Sequence, residues 1–379
     1  MAAPGKARLL LNPALDRARA YGPAERAILS VEGAATAHAV ISGWPGYQPS
    51  TLRALDEIAG KTGVASVLYK DEGQRFSLRS FKALGGAYAV ERLVAARGSA
   101  DGLTVTCATD GNHGRAVAWG ARRLGVRAVI YIHETVSQGR ADAIAGFGAE
   151  VRRVPGNYDD AVRESARVAA EQGWTIVSDT SWPGYDTIPK DVMQGYSLLA
   201  IEADAQGADP THIFIQGGVG GLAAGILSQA WERLGSKRPK LIVVEPETAG
   251  CLFESAAAGD VVTISGDLET IMAGLACGEP SLLAWALLSP GADAFMTIPD
   301  ALAADAMRTL AAQGIVGGES GVAGLAGFIA AAGDPAMRAA LHLDHTSRIL
   351  TYGTEGATDP AIYREIVGQD WTAVENRAP

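Results

Sequence analysis

The sequence predicts an α/β protein with two doubly wound lobes and a ligand site in the cleft between them. Three observations support this fold class. The chain has 379 residues, which exceeds the usual span of one hydrophobic core. Apolar residues make up 48% of it, enough for a substantial core and too many for a disordered chain. Short apolar, β-branched runs alternate with helical patterns, and this alternation is typical of parallel sheets flanked by helices.

The first alternation of strands and helices lies in the N-terminal half of the chain. Apolar runs predict four strands, at residues 103–108, 127–132, 150–154 and 174–177. Helical spacing of apolar side chains predicts three helices between them, at residues 115–124, 138–146 and 159–173. Strands separated by helices imply parallel pairing with right-handed crossovers. We therefore expect a small lobe that covers residues 89–194.

The second alternation surrounds the first along the chain. Strands are predicted at residues 67–70, 211–215, 241–245 and 348–352. Helical patterns are found at residues 222–234 and 321–333, and the latter is apolar enough to be a buried helix. These elements predict a larger, discontinuous lobe built from residues 1–88 and 195–379, with the small lobe inserted in it. Two such lobes place a ligand site in the cleft between them.

Charge and composition argue against several classes of protein. The chain has 32 Lys and Arg against 42 Asp and Glu, which gives a formal net charge of −10. A net acidic chain lacks the basic footprint that nucleic-acid binding requires, although a local pocket for one anion is compatible with it. The apolar run at residues 9–11 is too short for a signal peptide, and no charge-free stretch is long enough to span a bilayer.

Cysteine usage indicates the redox compartment. The three cysteines, Cys107, Cys251 and Cys277, are too few for a disulfide framework, and no Cys-x-x-Cys pair is present. These features predict a protein of the reducing cytoplasm. The alternative is a single disulfide between Cys251 and Cys277, with Cys107 left as a thiol.

Ser80-Phe81-Lys82 is the first segment that carries chemistry, and it precedes a helical run with two glycines at residues 83–90. A lysine that opens a helix lies at the positive end of the helix dipole, so we expect a lowered pKa and a neutral amine. A neutral amine is what Schiff-base formation requires. The two glycines would let a cofactor approach the backbone closely. On spacing alone, a solvated surface lysine is the commoner explanation.

A polar turn between a predicted strand and a predicted helix, residues 109–114, is the second such segment. Its two glycines expose N–H groups at a helix N-terminus, which predicts an anion site suited to a substrate carboxylate. Asn112 could also donate a hydrogen bond to a phenolic oxygen. Two plainer explanations stay open: Asp110 as an N-cap or turn residue, and His113 as a packed structural histidine.

A cluster of glycines at residues 217–221 follows a predicted strand and precedes a helix. Its N–H groups could wrap a phosphate at the positive end of that helix. The Lys-Ser/Thr pair of a nucleotide P-loop is missing, and, apart from Glu245, no acidic residue supports a dinucleotide fingerprint.

Thr354-Glu355-Gly356 follows the last predicted strand. A hydroxyl at this strand end could meet a pyridine nitrogen in the cleft. An ordinary polar strand terminus is the alternative.

The order of these four segments resembles that of fold-type II pyridoxal phosphate enzymes, and within them the diaminopropionate ammonia-lyase family. Matching segments cover nearly the whole chain, and the most specific are TDGNHG at residues 109–114 and IMAGLACGEP at residues 271–280. The other matching segments are Lys70-Asp71-Glu72, Arg75-Phe76, Ser80 to Tyr88, Asn157-Tyr158-Asp159-Asp160, Ser178 to Trp182, Gln194-Gly195-Tyr196, Gln216 to Gly225, Val244-Glu245-Pro246, Gly318 to Gly321 and Thr354-Glu355-Gly356. Serine and threonine dehydratases usually carry Ser or Ala where this chain has Asp110. The chain departs from the family pattern at Gly353, where a serine is expected, and at Gly221, which is bulkier in some relatives.

The resemblance implies a pyridoxal 5'-phosphate cofactor. Lys82 would carry it as a Schiff base, Phe81 would pack beside its ring, and Asn112 would bond its phenolic oxygen. Thr354 would meet the ring nitrogen, and a hydroxyl there leaves that nitrogen largely unprotonated, which suits β-elimination. The phosphate would be held by Gly217, Gly218, Val219, Gly220 and Gly221. No residue is assigned as a metal ligand.

The resemblance also implies the substrate side of the site, with Asp110 and Asp179 as catalytic, substrate-facing carboxylates and further contacts from Thr109, Gly111 and His113. The substrate 2,3-diaminopropionate carries a cationic β-ammonium, which a carboxylate in a dry cleft would bind strongly. We expect elimination of ammonia to give aminoacrylate, which hydrolyses to pyruvate and a second ammonia. Asp110, Asp179 or Lys82 would take the α-proton, and two bases on different faces would admit both the D and the L isomer.

Three other functions compete with this one. The nearest is a dehydratase on the same scaffold that acts on serine, threonine or 3-hydroxyaspartate. A nucleotide-dependent oxidoreductase would leave Lys82 and Asn112 unexplained. A non-catalytic binding protein would have no need of Lys82 together with Asp110 and Asp179. By family resemblance and by the base rate for soluble enzymes, we expect a homodimer.

Overall fold

The computed structural model describes residues 5–109, 111–266 and 268–377, and the side chain of Asp159 lies outside the description. Within these ranges the chain forms eleven strands: β1 (Arg8–Leu11), β2 (Thr51–Ala54), β3 (Ser66–Asp71), β4 (Thr104–Ala108), β5 (Arg127–His133), β6 (Glu150–Val154), β7 (Thr175–Ile176), β8 (His212–Gln216), β9 (Lys240–Pro246), β10 (Ala294–Ile298) and β11 (Arg348–Gly353). The same ranges contain seventeen α-helices: α1 (Pro23–Arg26), α2 (Val31–Ser42), α3 (Asp56–Thr62), α4 (Ala83–Arg97), α5 (Asn112–Leu124), α6 (Gln138–Ala145), α7 (Tyr158–Gln172), α8 (Thr187–Tyr196), α9 (Leu198–Ala205), α10 (Gly221–Leu234), α11 (Cys251–Ala258), α12 (Leu282–Gly291), α13 (Asp300–Ala312), α14 (Ala323–Gly333), α15 (Pro335–Leu341), α16 (Pro360–Val367) and α17 (Trp371–Glu375). Over the described ranges, no helix is both long and apolar enough to cross a membrane.

Seven strands form the larger sheet, in the order β1-β10-β9-β8-β11-β3-β2. The five central strands run parallel, whereas β1 and β2 pair antiparallel at the two edges. The predicted strands β3, β8, β9 and β11 are confirmed. The sequence does not predict β1, β2 or β10. The first two are four-residue edge strands with partly exposed side chains, and β10 is a short apolar run that periodicity cannot distinguish from a buried helix.

Four parallel strands form the smaller sheet, in the order β6-β5-β4-β7. Their parallel pairing, with α5, α6 and α7 between them, confirms the predicted alternation. The strand predicted at residues 174–177 is shorter than expected. The Trp174 N–H donates to Ala169 O at the end of α7, so the strand begins at Thr175, and its pairing with β4 ends at Ile176.

One continuous hydrophobic core joins the two sheets. It contains Val105 of the smaller sheet, Ile215 and Val243 of the larger sheet, and side chains of α4, α8 and α10. A second core covers the other face of the larger sheet, where alternate residues such as Phe214 and Val244 pack beneath α13 and α14. Because α4 belongs to the core that both sheets share, the start of this helix lies at the seam between them.

Glycines allow α4 to pack closely against its neighbouring helices. A Cβ at Gly85 would lie 2.7 Å from Val192 Cγ1, and a Cβ at Gly195 of α8 would overlap the carbonyl of Leu84. Gly86 faces α5 in the same way, with 3.1 Å between its Cβ position and the nearest side-chain atom. The two glycines of α4 leave room for the helices on either side. That they also let a cofactor approach the backbone stays a prediction.

Gly353, the residue at which the chain departs from the family pattern, faces the ring of Tyr69 on the neighbouring strand β3. A Cβ at this position would overlap Cζ and the hydroxyl of Tyr69, whose side chain is fully buried. We expect Gly353→Ser to lower the free energy of unfolding by roughly 2–3 kcal/mol, because a packed core yields little to an added side chain. Chemical denaturation of the cofactor-free protein measures this value. Gly333→Ala is the control, since a Cβ there meets no atom within 4 Å; equal stability of the two variants would contradict the prediction.

Candidate active site

Lys82 occupies the N-cap position of α4, beside the end of β11. The Phe81 N–H donates to Thr354 O at 3.0 Å, and Ser80 forms an antiparallel bridge with Glu355. The loop that carries the predicted Schiff-base lysine is thus bonded to the segment that carries the predicted partner of the ring nitrogen.

The side chains of Lys82 and Asp179 form an ion pair in the cleft between the sheets. Lys82 Nζ lies 2.6 Å from Asp179 Oδ2. The rings of Phe81 and Tyr196 face the same ammonium, with centroids 5.3 and 5.7 Å from Nζ. The fold therefore brings together two residues that are 97 positions apart in the chain and that the sequence predicts to be catalytic.

The ion pair controls the protonation of both groups. Burial alone would lower the pKa of Lys82, but the Asp179 carboxylate outweighs it and raises that pKa above its ordinary value. The expected lowering of the Lys82 pKa is therefore wrong for the protein without cofactor, because a charge at 2.6 Å acts more strongly than a helix dipole. Burial would raise the pKa of Asp179, but the Lys82 ammonium outweighs it and holds that pKa well below its usual range. Asp179 is thus ionised in the protein without cofactor.

Two buried serines fix the loop that carries Asp179. The Ser181 N–H donates to Ser281 Oγ at 3.1 Å, and the two hydroxyls lie 2.8 Å apart. The Ser281 N–H in turn donates to Val219 O, in the predicted phosphate loop, at 2.9 Å. The position of the Asp179 carboxylate is therefore linked to the position of the glycine loop through Ser281.

His113 lies behind Asp179 on the first turn of α5. Its Nε2 lies 2.8 Å from Val177 O, and because a carbonyl can only accept, Nε2 carries the hydrogen. Its Nδ1 faces Asp179 Oδ2 at 3.8 Å and forms no hydrogen bond with a described residue. Burial lowers the pKa of His113, so the ring is neutral. His113 is thus a packed histidine, as one explanation expects, with one nitrogen turned toward the site.

The turn that precedes α5 carries the other predicted substrate contacts. Thr109 Oγ1 accepts hydrogen bonds from the N–H groups of Gly111, at 3.0 Å, and Gly114, at 3.1 Å. Gly111 adopts a φ of 152°, a backbone conformation that favours glycine. The Asn112 amide donates from Nδ2 to Glu355 Oε2. Asp110, the second predicted catalytic carboxylate, lies outside the described residues.

Residues 217–221 connect β8 to the N-terminus of α10 and form an open backbone cradle. Gly220 has a φ of 95°, and a Cβ at Gly217 would lie 2.6 Å from Val243 Cγ1. The amides of residues 218–220 donate to no other described residue, so they are available to a phosphate at the positive end of α10. The residues present fit the predicted phosphate site.

Two cysteines flank this cradle. Cys251 Sγ donates to Gly218 O at 3.6 Å, and a Cβ at Gly218 would lie 3.2 Å from Cys277 Sγ. Both cysteines lie within the described residues and no disulfide bond joins them, so the alternative of a Cys251–Cys277 bridge is not observed. Thiols beside a phosphate cradle instead fill the space that the glycines leave.

Thr354 is buried at the end of β11, where its hydroxyl is oriented by a neighbour. Gln216 Nε2 donates to Thr354 Oγ1 and also to Tyr352 O at 2.8 Å. Because Thr354 Oγ1 accepts from Gln216, its own hydrogen is available to an unprotonated ring nitrogen. This contact fits the predicted role of Thr354, and it identifies Gln216 as a residue that sequence reasoning did not assign to the site.

Glu245 is committed to a structural role. Its carboxylate is buried and accepts the N–H groups of Leu252 at 2.8 Å and Phe253 at 2.7 Å, at the start of α11. Burial raises its pKa to about 8. A carboxylate held by a helix start is not available to a ribose, which removes the remaining support for a dinucleotide site at the glycine loop.

Two further residues lie near the site, and neither has a role assigned from sequence. Tyr196 packs against Phe81 with ring centroids 4.6 Å apart, and its fully buried hydroxyl has no hydrogen-bond partner among the described residues. Glu319, in the glycine-rich turn before α14, receives Arg140 Nη2 at 3.2 Å. Burial and the neighbouring Glu355 raise the pKa of Glu319 to about 8. Both residues belong to segments that match the family, but nothing in their spacing indicates these contacts.

The charged residues of the early family-like segments do not reach the site. Arg75 forms buried ion pairs with Glu72 at 2.7 Å and with Glu202 at 2.7 Å. Lys70 adds a second cation to Glu202 at 2.8 Å. This buried group of charges connects β3 to α9.

Comparison with known proteins gives matches to one family of enzymes. A family model described as "Pyridoxal-phosphate dependent enzyme" matches residues 44–351. The chain is 41% identical over 356 residues to a diaminopropionate ammonia-lyase of Escherichia coli, covering 87% of this chain and 89% of that protein. It is 39% identical over 360 residues to the diaminopropionate ammonia-lyase of Salmonella typhimurium, covering 85% and 89%.

A solved structure of the Escherichia coli enzyme, in complex with an aminoacrylate-PLP azomethine reaction intermediate, superposes with a TM-score of 0.89 at 39% identity. The superposition covers 96% of this chain and 97% of that one. The fold is that of the fold-type II pyridoxal phosphate enzymes, as the sequence predicts. The chain belongs to the diaminopropionate ammonia-lyase family of pyridoxal-phosphate-dependent enzymes.

Proposed function

We propose that the chain eliminates ammonia from 2,3-diaminopropionate, of D, L or both configurations, to give aminoacrylate, which hydrolyses to pyruvate and a second ammonia. The observation that carries this proposal is the Lys82–Asp179 pair, an amine and a carboxylate 2.6 Å apart in the cleft between two sheets. Membership of the family supports the same substrate and the same pyridoxal 5'-phosphate cofactor.

The residues that would hold the cofactor surround Lys82, whose amine would bind the cofactor aldehyde. The free amides of residues 218–220 would hold its phosphate, Asn112 its phenolic oxygen and Thr354 its ring nitrogen. Phe81 and Tyr196 would line the ring. When bound, the cofactor withdraws electrons from the α-carbon of the attached substrate and makes the α-proton acidic.

Asp179 is the group that we assign to substrate recognition and proton transfer. As a carboxylate it would pair with the β-ammonium of the substrate or accept the α-proton. The bond from Cβ to nitrogen then breaks, the electron pair leaves with nitrogen, and the ammonium departs as neutral ammonia. Asp110 is proposed as the second carboxylate and the Lys82 amine as the third candidate base. Thr109, Gly111 and His113 are proposed to contact the substrate near its α-carboxylate.

A dehydratase that acts on serine, threonine or 3-hydroxyaspartate is the second candidate function. A hydroxyl leaves readily only when an acid donates a proton to it. An ammonium group brings its own proton to the leaving nitrogen and is attracted by a carboxylate, whereas a neutral hydroxyl has neither property. A carboxylate at position 179 therefore matches the diamino acid better than a hydroxy amino acid.

The test combines a visible spectrum of the purified protein with pyruvate release from D- and L-2,3-diaminopropionate, with the serines as controls. A cofactor band and pyruvate from either diamino acid are the expected results. Turnover of hydroxy amino acids alone would support the assignment of the cofactor and contradict the assignment of the substrate. If no band forms even after pyridoxal phosphate is added, the assignment of Lys82 is wrong.

Ser281 gives a prediction about the link between the phosphate loop and Asp179. We expect Ser281→Ala to lower kcat roughly tenfold, because the Ser181 N–H loses its acceptor and the loop that carries Asp179 shifts. Initial rates of pyruvate release measure the effect. Ser228→Ala is the matched control, because the buried Ser228 hydroxyl bonds to Gly225 O in its own helix. A loss of the same size in both variants would mean that only stability has changed.

We further propose the assembly and division of the chain. The four strands of the smaller sheet all lie within residues 89–194, which supports a small domain inserted into a discontinuous large domain of residues 1–88 and 195–379. Both proposed boundaries fall inside helices, α4 and α8.

A homodimer in the cytoplasm is proposed from the base rate for such enzymes and from the use of cysteine as thiol. Light scattering during gel filtration measures the oligomeric state. Fractionation of cells measures the location.

A further inference from the structure

Glu355 lies beside Asn112 but was assigned no role from sequence. Its side chain is buried, with 4% of the residue exposed. Oε2 accepts from Asn112 Nδ2, and Oε1 accepts from the Ser320 N–H at 2.9 Å. The Thr358 hydroxyl lies at the limit of bonding distance, 3.4 Å from Oε2. Both carboxylate oxygens are therefore occupied by protein donors.

The surrounding backbone is built to admit this side chain. The Gly318 N–H donates to Glu355 O at 2.8 Å, and a Cβ at Gly318 would lie 2.8 Å from Glu355 Cγ. A Cβ at Gly321 would lie 2.7 Å from Glu355 N. On its other side, Glu355 bridges to Ser80, two residues before Lys82. The glycine-rich turn at residues 317–321 thus leaves the room that Glu355 occupies.

The two hydrogen bonds determine how the Asn112 amide faces the cleft. Glu355 Oε2 is the acceptor of this bond, so Asn112 must present an N–H to it, and its amide cannot rotate by half a turn without losing the bond. The second N–H of Nδ2 is then available on the side of the cleft. A phenolic oxygen that carries negative charge requires such a donor.

We propose that Glu355 is a positioning residue that holds the Asn112 amide with an N–H directed at the phenolic oxygen of the cofactor. The inference rests on the proposed function and adds to it the residue that acts through Asn112. Glu355 itself would not touch the cofactor.

The substitution Glu355→Gln separates this role from simple packing. A glutamine side chain has nearly the same shape, but it offers one acceptor oxygen where the carboxylate offers two. The Ser320 N–H belongs to the backbone and cannot turn away, so it keeps the single amide oxygen of the variant side chain where Oε1 of Glu355 lies. The amide NH₂ of the new side chain then faces Asn112, which must turn its own oxygen toward it and withdraw its N–H from the cleft.

The test is a double-mutant cycle on cofactor affinity. Apo protein is prepared as wild type, Glu355→Gln, Asn112→Ala and the double variant, and the dissociation constant of pyridoxal 5'-phosphate is measured by quenching of tryptophan fluorescence. We expect Glu355→Gln to raise the dissociation constant roughly tenfold, as loss of a hydrogen bond to a charged group would. In the Asn112→Ala background it should add nothing, because the group through which Glu355 acts is gone.

Two further variants make the cycle decisive. Glu319→Gln removes a neighbouring buried carboxylate that does not bond to Asn112, and its effect should add to that of Asn112→Ala. If Glu355→Gln does not fold, Glu355→Asp replaces it in the same cycle. The proposal would be overturned if the effects of Glu355→Gln and Asn112→Ala on the dissociation constant of pyridoxal 5'-phosphate were additive. It would also be overturned if Glu355→Gln alone left that constant unchanged. Turnover of diaminopropionate by the wild type tests the proposed function separately, so the two can fail independently.

Discussion

Lys82→Ala is expected to reduce pyruvate release from diaminopropionate by at least about 10³-fold. Three contributions are lost together: the amine that binds the cofactor aldehyde, one candidate base, and the cation that pairs with Asp179. The cofactor band of the purified variant should also differ from that of the wild type, because no amine remains at this position to form the covalent link. Initial rates with both isomers, at saturating added cofactor, measure the loss.

Lys190→Ala provides the matched control for Lys82→Ala. Lys190 pairs with Asp186 at 3.0 Å, so it is also a lysine in a Lys–Asp pair, but it lies at the surface near the start of α8. Its removal should leave both the rate and the cofactor band as they are in the wild type. Retention of a tenth or more of wild-type activity by Lys82→Ala would refute the assignment of this lysine.

Asp179→Asn is expected to lower kcat by roughly 10²- to 10⁴-fold with at least one isomer of the substrate, the range for loss of a positioned acid or base. Asparagine keeps the shape of the side chain but can neither accept the α-proton nor pair with the β-ammonium. If Asp110 and Asp179 serve opposite faces of the substrate, Asp110→Asn should spare the isomer that Asp179→Asn impairs. Kinetics of both variants with each isomer test this, and full activity of both variants on both isomers would eliminate the two-base hypothesis.

The pH dependence of stability offers an independent test of the same pair in the cofactor-free protein. The pKa of Asp179 is lowered by folding, so its contribution to stability is present above the ordinary value, about 3.9, and is lost as pH falls. The pKa of Lys82 is raised, so its contribution is present below about 10.4 and is lost as pH rises further. Asp179→Asn should therefore lower Tm between these limits, and the difference should shrink as pH falls below the lower limit or rises above the upper one. Asp186→Asn, in the exposed pair, should show a much smaller difference.

The sequence predicts the participants of this site better than their arrangement. Lys82, Asn112, the glycines at residues 217–221 and Thr354 each follow a strand or open a helix, and the carboxyl ends of parallel strands meet at one edge of a sheet. Their positions could therefore be inferred from local pattern and chain order. The fold class follows from the same patterns, whereas the family follows from the resemblance of the matching segments to known enzymes.

Contacts between distant parts of the chain could not be inferred in this way. Ser281 meets Ser181 across 100 residues, and Glu355 meets Asn112 across 243, with no periodicity that connects them. The pKa of Lys82 was predicted with the wrong sign for the same reason. The dipole of α4 can be read from the sequence, but a carboxylate 97 residues away cannot.

The close packing of α4 also bears on how the chain acquires its structure. This helix contributes side chains to the core that both sheets share, and the backbone of α8 approaches it so closely that a Cβ at Gly195 would overlap the Leu84 carbonyl. Contacts of this kind join parts of the chain that are far apart in sequence, and such contacts form late because long loops must close first. The smaller sheet cannot complete its core until α4 is in place, and α4 is held by elements of the larger one. A substitution that loosens α4 is therefore expected to destabilise both sheets, since both pack on the core to which this helix contributes.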